Sequence, residues 1–278
     1  ADVTGSVGCV IEHGPNGEKR YQIDHVLGGK NVYYFLTTLD RGKLQTLPLA
    51  YDVHKGEWFD MAKSGLRHFA DQTDEPVHWK DWQYTFNTAC YGCHVSQLDT
   101  HYDLKTDTYH TTWKEPGINC ETCHGPGQAH VRVCENAPSG TVPKDLKIIR
   151  GGRDFTKAQN NAACASCHAK GVVLTSSFQP GDRFFDHFGL VTLENNDYYP
   201  DGRDLGENYT YTSWMMSPCV KSGKLDCLFC HTSSGRYRFK PEDKANLVCA
   251  PCHQEKVDNP TDHTHHPEKS VGNRCISC

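Results

Sequence analysis

The chain has 278 residues and a formal charge of −5, with 29 basic against 34 acidic side chains and no basic stripe, which excludes a nucleic-acid-binding surface. Hydrophobic residues make up only 37% of it, and no apolar run approaches the roughly 20 residues that a helix needs to cross a bilayer. A chain so poor in apolar side chains, yet carrying 15 cysteines and 17 histidines, predicts that something besides side chains fills its core.

Residues 1–85 read as a β-rich N-terminal region without a paired-cysteine motif. Tyr21-Gln22-Ile23, the run from Asn31 to Leu36 and the run from Leu44 to Leu49 are rich in β-branched, aromatic and aliphatic side chains. Gly28-Gly29 and Asp40-Arg41-Gly42-Lys43 punctuate them, and the pattern predicts a short antiparallel meander. Residues 86–278 read as a second unit. Three copies of Cys-x-x-Cys-His come first, at Cys90, Cys93 and His94, at Cys120, Cys123 and His124, and at Cys164, Cys167 and His168. Short helices joined by loops are expected there. Residues 171–218 read as a loop-rich insertion, with turn signals at Gln179-Pro180-Gly181-Asp182 and Tyr199-Pro200-Asp201-Gly202. Two more copies follow, at Cys227, Cys230 and His231 and at Cys249, Cys252 and His253, and Cys275 and Cys278 begin a sixth without its histidine. Start-to-start intervals of 30, 44, 63, 22 and 26 residues are too irregular for a solenoid. Both ends are expected to be truncated, with a histidine following Cys278.

This spacing is the attachment site of a c-type haem. The two thiols form thioethers to the vinyl groups, and the adjacent imidazole reaches the iron. A lone Cys-x-x-Cys would suit half a zinc site or a redox pair, but all five complete copies carry a histidine that a zinc ribbon does not need. A disulfide framework is disfavoured because such domains are short. Five to six haem c groups are therefore expected. At about 56 residues per complete motif, fewer than a domain requires, they must share one core. The expected fold is mainly α and irregular, packed on haem, with the small antiparallel β-region at its N-terminus.

The proximal iron ligands are then His94, His124, His168, His231 and His253, and 12 histidines remain for the distal positions. His130 is the strongest candidate: Gly125-Pro126-Gly127 turns the chain away from His124, so His130 would serve a neighbouring haem. His263 and His266, flanking His265, precede the sixth motif, and His68, His78 and His187 sit beside Phe69, Trp79 and Phe188. Each of these could equally be a surface or satisfied core histidine. His13, His25 and His54 fall in strand or turn contexts and read as bystanders. Cys9, Cys134 and Cys219 lie outside the motifs, and a Cys134–Cys219 disulfide is the pairing suggested for an oxidising compartment.

Asn87-Thr88-Ala89-Cys90-Tyr91-Gly92-Cys93-His94, Tyr102-Asp103-Leu104, Thr112-Trp113 and Cys120-Glu121-Thr122-Cys123-His124-Gly125-Pro126-Gly127 with His130 resemble the large secreted bacterial multihaem cytochromes. Relatives of that group include the tetrahaem electron-acceptor cytochrome of ammonia oxidation. Gly42-Lys43-Leu44-Gln45 and Gly272-Asn273-Arg274-Cys275 extend the similarity over most of the chain. The resemblance implies bis-histidine haems, with the His130 position ligating a haem other than its own. It also implies that members often continue into tetratricopeptide or HEAT repeats.

Two functions follow as expectations. The first is electron transfer by closely spaced, mostly bis-histidine haems, with redox partner proteins such as other cytochromes. Because haem c is attached outside the cytoplasm, a periplasmic or extracellular, cell-surface location goes with it. The acidic surplus would suit a basic partner, and a homo-oligomer or haem-stacked polymer is compatible with the sequence though not required by it. The alternative, less expected, is a multihaem oxidoreductase acting on a small nitrogen or sulfur species at one open haem. Arg183, Asp186, His187, Tyr198 and Tyr199 would then surround the substrate.

Overall fold

The computed structural model describes residues 2–4, 7–64, 76–195, 198–204, 209–232 and 242–275; His68 and Cys278 lie outside the described residues. Two antiparallel sheets build the N-terminal part. The first joins β1 (Asp2–Thr4), β2 (Val7–Gly14) and β3 (Gly17–Gln22) in that order. The second contains β4 (His25–Gly28), β5 (Val32–Thr38), β6 (Leu44–Thr46), β7 (Leu49–Asp52) and β8 (Glu57–Asp60). Its order is β4-β5-β7-β8, with β6 paired to the end of β5. Gly28 turns β4 into β5 at a φ of +88°, where a Cβ would collide with the Val32 carbonyl, so the position requires glycine.

The register explains which side chains meet. Val10 faces Tyr21 across the β2–β3 hairpin, and both pack with Phe35, Leu47 and Trp79. A second cluster joins Leu27, Leu36 and Leu44 of the sheet to Phe86, Val95 and Leu98, with Cys90, Tyr91 and Trp113 against it. The sheet core thus reaches directly under the first cysteine motif. Gln45 is buried in the seam: its Nε2 donates to the carbonyls of Trp79 (2.6 Å) and Asp81 (3.0 Å), and its Oε1 accepts from Thr85 Oγ1 (2.9 Å). Each half of the amide is satisfied, which is what lets a polar side chain sit there.

The expectation of a mainly α fold holds only in part. β9 (Val95–Ser96) pairs with β10 (Glu115–Pro116), and β11 (Gly171–Val173) pairs with β12 (Phe188–Leu190) inside the segment read as a loop-rich insertion. Helices are short; Lys157–His168, at 12 residues, is the longest among the described residues. It begins with a capping box, Thr156 accepting from the Gln159 backbone and Gln159 accepting from Thr156. Its Ala162 and Ala165 pack against Phe184 and Tyr211 to make a third, smaller core. No helix among the described residues is long and apolar enough to cross a membrane.

Candidate haem sites

Each of the five complete motifs lies on or beside a helical turn, in Tyr91–His94, Cys120–His124, Lys157–His168, Cys227–Cys230 and Ala250–Asp258. One turn brings cysteines three apart to the same face, as two thioethers to one porphyrin edge require. The motif cysteines described are at least partly accessible. No three His, Cys, Asp or Glu side chains among the described residues gather as they would around a bare metal ion.

Asparagines seat the motifs. Three residues before its first cysteine, motif one carries Asn87, motif three Asn161 and motif five Asn246. Asn87 Oδ1 accepts the backbone N–H of Leu44 at 2.6 Å, tying motif one to β6. Asn161 Oδ1 accepts the backbone N–H of Cys227 at 3.0 Å, and Asn246 Oδ1 accepts that of Cys275 at 2.9 Å. The same amide therefore docks the first cysteine of motif four on motif three and that of motif six on motif five. Asn160 adds a bond from its Nδ2 to Asp226 at 2.8 Å. Motif two is tied to the end of motif one differently. Ser96 Oγ lies 2.8 Å from Thr122 Oγ1 and accepts from Asn119 N at 2.9 Å, while Asn119 caps the helical turn by accepting from Thr122 N at 3.1 Å.

These clamps bring thiols of different motifs together. Cys93 Sγ donates to the Cys167 carbonyl at 3.6 Å, and Cys167 Sγ donates to the Gly92 carbonyl at 3.5 Å. Hydrogen bonding to Cys93 holds the Cys167 thiol down at about 6. Cys164 and Cys227 are hydrogen-bonded to each other, which lowers Cys164 and, with burial, raises Cys227. Burial, followed by the charge of Cys164 and Cys167, pushes the Cys123 thiol up. Burial and the neighbouring Cys275 push Cys249 to about 11. The proximity runs from motif one to three, from two to three, from three to four, from four to five, and from five to six.

Two histidines have the tautomer that iron ligation through Nε2 needs. His124 Nδ1 lies 2.7 Å from the Ile149 carbonyl and His130 Nδ1 lies 2.7 Å from the Leu146 carbonyl. A carbonyl only accepts, so both Nδ1 atoms carry the proton and Nε2 keeps its lone pair. The other candidates are less arranged. His187 has Nε2 3.2 Å from Asp182 Oδ2 and a buried Nδ1 without a hydrogen-bond partner, beside Phe178. His78 is exposed next to Trp79, its Nδ1 accepting from Lys80 N at 3.2 Å. His263 and His266 are exposed, and the His266 ring lies so close over Gly272 that a Cβ there would collide with it. His25, read as a bystander, packs on Trp113 at 4.8 Å, next to the cluster that holds Cys90. His94 itself faces Tyr34 at 6.2 Å; His168, His231 and His253 are exposed.

Two expectations change. Cys134 and Cys219 do not pair: both are free and exposed. Cys134 lies 3.8 Å from His130 Nδ1, whereas Cys219 lies within electrostatic reach of Cys230 and Cys249. Cys9 lies in β2. The cluster proposed around a substrate is turned on itself, with Arg183 3.7 Å from Asp186 and Tyr198 hydrogen-bonded to Thr212 at 3.0 Å, while Tyr199 stacks with Arg203.

Residues 54–125 match the family described as cytochrome c554 and c-prime. Over 174 residues the chain is 26% identical to the C-type polyheme cytochrome OmcC of Geobacter sulfurreducens (strain ATCC 51573 / DSM 12127 / PCA), a match covering 55% of this chain and 21% of that protein. The chain thus spans only a minor part of that relative's length. Among solved structures, the outer cell wall cytochrome OcwA aligns over 74% of this chain and 43% of its own, with 18% identity and a TM-score of 0.44.

Proposed function

We propose that the chain is a multihaem c-type cytochrome whose work is electron transfer, a conduit of five to six haems held near contact and mostly closed by two histidines. The observation that carries the reading is the meeting of thiols from different motifs, Cys93 with Cys167 and Cys164 with Cys227. Porphyrins attached to such cysteines have edges close to one another. Bound haem c supplies a one-electron iron couple. The residues of the chain do the rest. The cysteine pairs fix each porphyrin edge, and His94, His124, His168, His231 and His253 supply the proximal nitrogen. His130, oriented by the Leu146 carbonyl, supplies a distal nitrogen to a haem other than that of its neighbour His124. His25, His78, His187, His263 and His266 complete the pool of candidate distal ligands, together with His68.

The reading places the protein in the periplasm or at the cell surface, where haem c is attached, with other redox proteins as partners. The net charge of −5 favours a partner with a basic face. A homo-oligomer or a haem-stacked polymer would continue the same conduit between copies.

The test is the EPR spectrum of the oxidised full-length protein. Only low-spin signals are expected. A stoichiometric high-spin signal that shifts on adding nitrite or hydroxylamine would replace the conduit with an enzyme having one open iron. His130→Ala should convert a single haem from low to high spin, and an unchanged spectrum would remove His130 from the ligand set.

A further inference from the structure

The geometry points to a binding role outside every motif: Arg153, Lys157 and Lys224 hold the propionates of the porphyrin attached at Cys120 and Cys123. The inference rests on reading those two cysteines as a haem site. A cavity of about 560 Å³ has His124 in its wall together with Leu228 and Phe229, the two residues between the cysteines of motif four. Its remaining surface carries Arg150, Arg153, Lys157 and Lys224 against a single carboxylate, Asp226.

The charges are not already spent on one another. Arg150 is taken up by Asp154, with Nη2 2.9 Å from Oδ1 and Nε 3.2 Å from Oδ2. Asp226 is engaged by Asn160 Nδ2. Arg153, Lys157 and Lys224 form no ion pair among the described residues, and all three are exposed. A c-type porphyrin is a flat apolar plate with an imidazole on one face and two carboxylates on one edge. The cavity offers a match for each part. His124 lines it, with Nδ1 tied to the Ile149 carbonyl and Nε2 left with its lone pair for an iron. Leu228 and Phe229 supply an apolar wall, and the three cations supply charge-assisted donors for carboxylates at the solvent edge. One consequence is that the haem of motif two rests on motif four, joining two motifs that lie far apart in sequence.

The experiment compares the mature protein with Arg153→Gln/Lys157→Gln/Lys224→Gln. Peptide mass mapping measures the haem on Cys120 and Cys123, and spectroelectrochemical titration measures the potentials. Removing positive charge beside an iron favours its oxidised, more positive state. The expected result is full haem content with one transition moved to lower potential and the others unmoved. Lys157→Arg/Lys224→Arg should leave that transition at its wild-type position. His124→Met should move the same transition, because it changes that iron's ligand. Unmoved potentials at full haem content, or a shift in a transition that His124→Met leaves alone, would overturn the assignment of the cations. A wild-type protein with no haem on the Cys120–Cys123 peptide would overturn the haem site itself, a result distinguishable from the other two.

Discussion

From Val10 to Leu98 the chain buries hydrophobic side chains on strand after strand, with Leu36, Leu47 and Ala50 fully inaccessible. From Asp99 to Asn161 it buries none among the described residues, although this stretch contains motif two and His130. The first region is held by apolar contact and by buried amides such as Gln45. The second is held by asparagines, caps and turns, with Ile118, Val131 and Val142 left exposed. An exposed apolar side chain such as Ile118, two residues before Cys120, is what a porphyrin would cover. The difference teaches that one part of this protein folds on its own material and the other on what is attached to it.

The largest effect should come from withholding haem. A chain with its motif cysteines replaced by serine should keep slow hydrogen exchange in β5 and β7 and lose it across the Gln128–Glu135 helix, which carries His130 and buries no side chain. Equal protection in both would break the contrast. A smaller effect sharpens it from the other side. Leu47→Ala should cost about 2–5 kcal/mol in the N-terminal sheets, measured by denaturant unfolding. Leu104→Ala, at a position 85% exposed, should stay within about 0.5 kcal/mol. Comparable losses would show a side-chain core where none is described.

The smallest effect concerns acid. Glu12 accepts from Lys80 Nζ (3.0 Å), Trp79 Nε1 (3.1 Å) and Tyr21 Oη (3.0 Å), and these bonds, that to Lys80 foremost, lower its pKa from 4.5 to about 2. A depressed carboxyl contributes stability that is full above its unfolded value and disappears as pH falls through its folded value. The N-terminal sheets should therefore lose stability between about pH 4.5 and 2, and Glu12→Gln should flatten that slope. An unchanged slope would mean that the contacts of Glu12 do not hold the β2–β3 hairpin to Trp79.

The haem motifs were legible because covalent chemistry fixes residue type and spacing, and no tertiary context is needed to read them. The meander was legible in Asn31 to Leu36 because β-branched and aromatic residues cluster there. The β11–β12 pair was not: Gly171, Gly189 and the neighbouring turn residues hide a strand pair whose partners are set by folding. Asn161 was invisible for the same reason. An asparagine three residues before a cysteine means little until its acceptor is seen to meet a backbone 66 residues away. His25 escaped notice because its neighbour Trp113 comes from a distant loop.

That asparagine has a bearing on how the protein is made. Its bond goes to the backbone N–H of Cys227, and only a secondary contact of 3.1 Å involves the thiol. Converting the thiol to a thioether gives up the secondary contact and leaves the main one intact. The frame that sets motif four against motif three is thus indifferent to whether either has been loaded. Loading motif three or motif four with haem therefore leaves this contact between them in place.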